Sequence, residues 1–339
     1  MCSRSIRPWP NNMAVIRYRL GAGAASVRWA MSPIHEVVSL ARLLTEPQRH
    51  PLFHQWLRRR RQRLSGLDLS ALTVFMADGA YRPDFLDPSP MSSEPTFDDG
   101  IAALLATPAD QVYAELVDAT AGHGEETRRR LLDDPERVRS QAAAAVRRLW
   151  KAAVEPEWPS MRQALRAEML DRAVQVNREG LRAVIPRLHP SATSVGDTIT
   201  VESAVAVEAD CSDGLILVPS LFITDRVQCT TSAHWSPAIC YPATGRYLWE
   251  APATPRSLDR LLGATRSKIL AVLTTPLQTT VVADLVRVTA PTASEHLTVL
   301  RDAGLIDSNR AGRTVTHELT GAGRALLEAA PPPDQAGPQ

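Results

Sequence analysis

Residues 279–319 read TTVVADLVRVTAPTASEHLTVLRDAGLIDSNRAGRTVTHEL, and this stretch decides the fold of the C-terminal part of the chain. Thr279 or Thr280 is placed to cap a short helix whose apolar positions are Val281, Val282 and Leu285. A non-helical break is expected around 288–290. Pro291 then sits in a first helical turn, where its missing N–H has no partner to lose. Ala293, Leu297 and Leu300 follow at i, i+4 and i+7 and share one helix face. Ala290, Ser294, Glu295 and Thr298 therefore look elsewhere. Gly304 ends this second helix, where a C-terminal cap needs positive φ. Two strand-like runs, 305–308 and 314–319, are joined by Asn309-Arg310-Ala311-Gly312-Arg313. Helix, turn, helix and a hairpin with a basic tip is the plan of a winged helix-turn-helix.

That plan follows from groove geometry. A major groove admits one helix, and the helix before it braces the reader against the backbone. Arg310 and Arg313, on either side of the turn, are placed to reach phosphates or the adjacent minor groove. The competing description is an αα-hairpin that merely packs, with a surface hairpin attached. A proline start, a glycine stop and a basic wing in the right order favour the DNA-binding plan.

Thr289-Ala290-Pro291-Thr292-Ala293-Ser294-Glu295-His296-Leu297, continued by Val299-Leu300-Arg301-Asp302-Ala303-Gly304-Leu305-Ile306 and by Arg310-Ala311-Gly312-Arg313, resembles the recognition helix and wing of ArsR-type bacterial transcriptional regulators. The resemblance covers roughly 258–328. The preceding segment, with Gly214-Leu215-Ile216-Leu217-Val218-Pro219-Ser220 and Tyr241-Pro242-Ala243, is similar to actinobacterial regulators that attach an uncharacterised N-terminal domain to this reader. Two departures matter. The metal-sensing branch carries a cysteine pair before the recognition helix, whereas this chain has Val281-Val282-Ala283-Asp284-Leu285 there. Many relatives carry histidine and lysine where Glu295 and Thr298 stand here. Glu295 is either a reader of cytosine N4 or turned away from DNA, and phosphate repulsion favours the second.

At 339 residues the chain is long enough for two or three cores. Net charge is only +1, so any DNA affinity must be local. Between 256 and 328, nine basic residues face seven acidic ones, an excess of two. That implies weak non-specific affinity per subunit and reliance on a dimer. The expected fold class is α+β: a mainly helical N-terminal region with a small antiparallel β-region, then a C-terminal winged helix. The expected organisation is a disordered leader 1–12 and an N-terminal regulatory or dimerisation region 13–250. Within that region, 32–190 is helical and 194–249 β-rich. A linker at 251–257, a DNA-binding domain at 258–330 and a disordered tail at 331–339 complete it. Met13 is a candidate start. No apolar run is long enough to span a membrane, and the expected location is the cytoplasm.

Along the chain, residues 14–20 alternate as a strand that joins the later β-region. Ser32 caps a helix begun by Pro33, with Ile34, Val37, Val38, Ala41 and Leu44 inward. Arg58–Arg61 with Arg63 reads as a solvated helix face beside Trp56 and Leu57, with Leu64 buried, or as a nucleic-acid arm. Residues 81–95 form a proline-rich loop. Helices are expected over 109–116, 125–132, 135–153 and 159–188, and a cleft among them could hold a small apolar ligand. Strands are expected over 198–207, 215–223, 227–231 and 238–241, with 215–218 apolar on both faces and central. Trp235, Tyr241, Tyr247 and Trp249 are expected at the sheet edge. A helix over 258–273 leads into the reader.

Enzyme signatures are missing: no phosphate-cradling glycine loop, no HExxH and no GxSxG in suitable context. No catalytic residue, metal site or cofactor is therefore expected. His50 and His54 are spaced i,i+4 but are interrupted by Pro51. Cys2, Cys211, Cys229 and Cys240 show no CxxC spacing; the last three are expected to be buried reduced thiols. The function expected is a sequence-specific DNA-binding transcriptional regulator, a homodimeric repressor on a pseudo-palindromic operator in double-stranded DNA. Thr289, Ala290, Thr292, Ser294, Glu295, Thr298, Arg301, Arg310 and Arg313 are its candidate contacts. The N-terminal region would dimerise, sense an unidentified small-molecule effector, or both. The alternative is a protein–protein interaction module that uses the winged helix to dock a partner.

Overall fold

The computed structural model describes residues 14–20, 27–47, 53–76, 81–203, 205–211, 214–224, 226–230, 232–244, 256–273, 276–286, 288–311 and 314–329. The expected leader with Cys2, Met13, His50, Pro51, the tail, Tyr247, Trp249 and 251–255 of the linker lie outside them. The fold is mixed α and β, in two compact units, Met1–Ala243 and Thr244–Gln339.

In the first unit, strands β1 (Ala14–Leu20) and β2 (Val27–Trp29) precede helix α1 (Pro33–Thr45). Ser32 caps α1, its hydroxyl accepting from the His35 N–H. The helix is buried on nearly every side over 33–41, beyond the single apolar stripe expected. Short helices α2 (His54–Arg59), α3 (Arg61–Leu64) and α4 (Ser70–Thr73) follow. Arg58, Arg59, Arg61 and Arg63 are exposed, as a solvated face requires. Arg60 departs from that face: it is buried, stacked over the Trp56 ring at 4.5 Å and paired with Glu157.

After the loop around Asp84–Leu86 come α5 (Phe97–Ala106), α6 (Ala109–Ala119), α7 (Glu125–Leu132), α8 (Pro135–Leu149), α9 (Trp158–Glu179) and α10 (Leu181–Leu188). The expected single helix over 159–188 is two, because Gly180 takes φ +83° and breaks it. α5 crosses α1 closely: a Cβ on Gly100 would meet Ile34 Cγ2 at 2.9 Å.

The remaining strands are β3 (Ala192–Val195), β4 (Thr198–Ser203), β5 (Val207–Cys211), β6 (Leu215–Ser220), β7 (Gln228–Cys229) and β8 (Ala238–Pro242). They form two four-stranded sheets, ordered β3-β4-β1-β5 and β2-β6-β8-β7. β1 joins the later strands, as its alternation implied. The small antiparallel β-region does not hold, however. β1 pairs parallel with β5, and β6 pairs parallel with both β2 and β8, so both sheets are mixed. Side-chain period carries no strand direction, and these partners are far apart in sequence. The six buried residues of β6 are the signature of a strand covered on both faces. Tyr241 is fully buried on β8, between β6 and β7, and not at an edge. One core joins both sheets to α10, through Ile16, Tyr18, Ile199, Leu217, Ile239 and Val184.

The second unit contains α11 (Arg256–Leu262), α12 (Ala264–Val272), β9 (Leu277–Gln278), α13 (Thr279–Val286), α14 (Ala290–Asp302), β10 (Ile306–Ala311), β11 (Thr314–Leu319) and α15 (Gly321–Ala329). The expected helix over 258–273 is broken at Gly263, φ +84°. β9, β10 and β11 form one antiparallel sheet, ordered β10-β11-β9. Among the described residues no helix is long and apolar enough to cross a membrane.

Candidate nucleic-acid interface

α14 starts where its sequence says it should. Thr289 is extended, at φ −71° and ψ 153°, and its hydroxyl accepts from the Thr292 N–H at 3.4 Å. The two threonine hydroxyl oxygens lie 2.9 Å apart. Pro291 falls in the first turn, where no N–H is missed. Ala293, Leu297 and Leu300 are buried and hold α14 to the unit.

The far end closes by a Schellman arrangement. The Leu305 N–H donates to the Leu300 carbonyl at 3.0 Å and the Gly304 N–H to the Arg301 carbonyl at 2.8 Å, with Gly304 at φ +71°. Thr320 then bridges back, its hydroxyl donating to the Gly304 carbonyl at 2.7 Å and accepting from the Gly323 N–H at 3.1 Å.

The hairpin after α14 is longer than its sequence suggests. Pairing runs from Ile306↔Leu319 to Ala311↔Thr314, so Arg310 lies in β10, opposite Val315, and not in the connecting loop. Cross-strand pairing extends the ladder through a polar segment that local propensity assigns to a turn. Buried His317 fixes the base of this hairpin: its Nδ1 meets Ser308 Oγ at 2.8 Å and its Nε2 meets Thr279 Oγ1 at 2.9 Å. Burial, then the nearby Arg301 charge, lowers its pKa, which favours the neutral ring.

Thr289, Ala290, Ser294, Glu295, Thr298 and Arg301 are exposed, and Thr292 is half-buried. They occupy the parts of α14 left free by its buried stripe. Arg301 shares its charge with Asp302 at 3.2 Å, an exposed pair that a phosphate can displace cheaply. Arg310 is exposed, and Arg313 lies outside the described residues. Val299, not among the expected contacts, is 44% exposed on α14. Its signal was an apolar residue off the 293/297/300 stripe. An apolar side chain there suits contact with a thymine methyl.

The first unit holds buried polar groups that its sequence did not reveal. Glu36 accepts from the Leu221 N–H at 3.0 Å, and burial pushes its carboxyl up to about 8. Glu115 accepts from the Phe85 N–H and from Gln111, each at 2.7 Å. Burial, then the charge of Asp84, raises it to about 7. Asp84 accepts from the Ser232 N–H at 2.7 Å. Cys211, Cys229 and Cys240 are free thiols, and burial raises all three above the ordinary thiol range.

Over residues 90–246 the chain is similar to DUF5937, described as a family of unknown function. That stretch runs from the loop before α5 past β8 and leaves α11–α15 outside it. No curated protein and no solved structure matches the chain.

Proposed function

We propose that the chain is a sequence-specific DNA-binding transcriptional regulator of the ArsR type, acting as a homodimeric repressor. The second unit is its winged helix-turn-helix: α13 braces, α14 enters the major groove, and the β10–β11 hairpin is the wing. One observation carries this. α14 is anchored by Ala293, Leu297 and Leu300 and capped at both ends, while Thr289, Ser294, Glu295, Thr298, Val299 and Arg301 remain exposed along it. A helix fixed in place on one side with polar residues along the other is what a groove reader requires.

Two copies place two α14 helices in successive major grooves of a pseudo-palindrome. Thr289 and Thr292 hydroxyls contact phosphate or base edges, and Arg310 and Arg313 reach the flanking backbone. The first unit supplies dimer contacts, an effector site, or both. An effector changes operator affinity only by its differential binding to the two states.

Arg310→Ala with Arg313→Ala tests the wing. Titration of labelled duplex DNA with the full-length chain should show binding weakened alike on all sequences, and a log K against log salt slope shallower by about 1 to 2. An unchanged slope removes the wing from the contacts.

The alternative, a module that docks a protein partner, draws on Glu295 and Asp302, which put two carboxylates on or beside the exposed face. It predicts no salt-dependent DNA affinity at all.

A further inference from the structure

Three side chains from distant parts of the first unit converge in its interior. His35 comes from α1, Asp87 from the loop after Asp84–Leu86, and Cys240 from β8. His35 Nδ1 or Nε2, an Asp87 carboxylate oxygen and Cys240 Sγ all lie within 4.8 Å of one another, and all three residues are enclosed. His35 contacts Asp87 through Nδ1, and its Nε2 faces Ser39 Oγ at 3.1 Å, one turn along α1. When Nε2 carries the proton and donates to Ser39, the Nδ1 lone pair faces a carboxylate and a thiol. In that tautomer an ion can take the place of the proton that His35 Nδ1 otherwise shares with Asp87, with Cys240 Sγ within reach as a third donor.

We propose that His35, Asp87 and Cys240 bind one divalent transition-metal ion of the zinc class. A mixed nitrogen, oxygen and sulfur donor set selects zinc or cobalt over magnesium and calcium. Donors around a tetrahedral zinc, with bonds of about 2.0–2.3 Å, sit roughly 3.3–3.7 Å apart, so ion entry would widen the short His35–Asp87 contact and keep Cys240 Sγ within reach by small side-chain rotations.

The outer contacts fit as well. Ser39 orients the imidazole, and Arg82 donates to Asp87 Oδ2 at 2.8 Å, orienting the carboxylate. Binding replaces the Cys240 S–H bond by a sulfur–metal bond and releases one proton to solvent. Three protein ligands leave a fourth position for water or an exogenous ligand. A surface cleft lined by Ser39, Arg42, Phe222 and Gln228 reaches the outer shell, Gln228 being the cross-strand neighbour of Cys240. The ion would tie α1, the 81–95 loop and β8 together, and it stands independently of the DNA-binding proposal.

Cobalt titration of the metal-stripped full-length chain tests this. One equivalent should produce a thiolate-to-cobalt charge-transfer band in the near ultraviolet, lost on adding zinc. Cys240→Ser should abolish the band, Cys229→Ser should keep it, and Ser39→Ala should weaken cobalt affinity about tenfold. No band in the wild type, or a band that survives Cys240→Ser, overturns the site. Should Cys240→Ser fail to fold, zinc-edge X-ray absorption of the wild type decides. One sulfur among nitrogen and oxygen donors supports the site, and a shell without sulfur overturns it.

Discussion

Glu295 concentrates the chemical tension of the proposed interface in one side chain. It is exposed on α14 close to Ser294 and Thr298, where a phosphate backbone would repel it. Glu295→Gln should therefore strengthen binding to any duplex by about 0.5–1 kcal/mol, a few-fold in affinity at low salt. A selective loss at one base position, with no general gain, would instead make Glu295 a base reader. Glu115 carries a second test. Its ordinary pKa is 4.5, and burial with the Asp84 charge raises it to about 7 in the folded chain. Between those values the folded state binds a proton that the unfolded chain has released, so stability falls as pH rises. Glu115→Gln should flatten that fall by up to one proton, ~1.4 kcal/mol per pH unit. Denaturant melts at several pH values read this directly; parallel curves for wild type and variant would contradict it. Neither Glu115 nor Glu36 was legible in the sequence. Their partners, Phe85 and Leu221, are fixed by tertiary contact, and no local pattern marks a buried carboxylate.

Elements whose signals are local were legible. Ser32 with Pro33 located the start of α1, Pro291 the first turn of α14, and Gly304 its end, whereas the Thr289 cap was not read from the sequence. The bounds of α7 agree residue for residue with the 125–132 periodicity. Elements that depend on distant partners were not legible. The parallel pairings of β6, the separation of β4 from β5, and the extension of β10 through Arg310 all follow from neighbours that periodicity cannot name. Breaks at Gly180 and Gly263 were missed because an isolated glycine does not always end a helix. Gly323 was also unremarked, though the second unit depends on it. A Cβ there would lie 2.1 Å from the Leu305 carbonyl oxygen, so the start of α15 approaches the backbone just past α14 too closely for a side chain. Gly323→Ala should cost about 1–3 kcal/mol, or more if the backbone cannot move. Thermal unfolding should show the loss; an unchanged midpoint would mean that α15 shifts freely.

At the scale of the whole molecule, the two units divide the sequence resemblances between them. The similarity to a family of unknown function falls on residues 90–246, essentially in the first unit, and the motifs on which the DNA-binding proposal rests fall in the second. Composition foresaw a protein whose net charge of +1 cannot hold nucleic acid by bulk attraction. On the proposed function, affinity comes from a small patch, doubled by dimerisation and sensitive to salt. Selection of genomic DNA fragments by the purified full-length chain at two salt concentrations, followed by sequencing, tests the central claim. The account predicts a two-fold-symmetric site with half-sites about 10 base pairs apart or a multiple of that, and recovery that drops steeply at the higher salt. A folded dimer that enriches no site at either salt would contradict it and favour the protein-docking alternative.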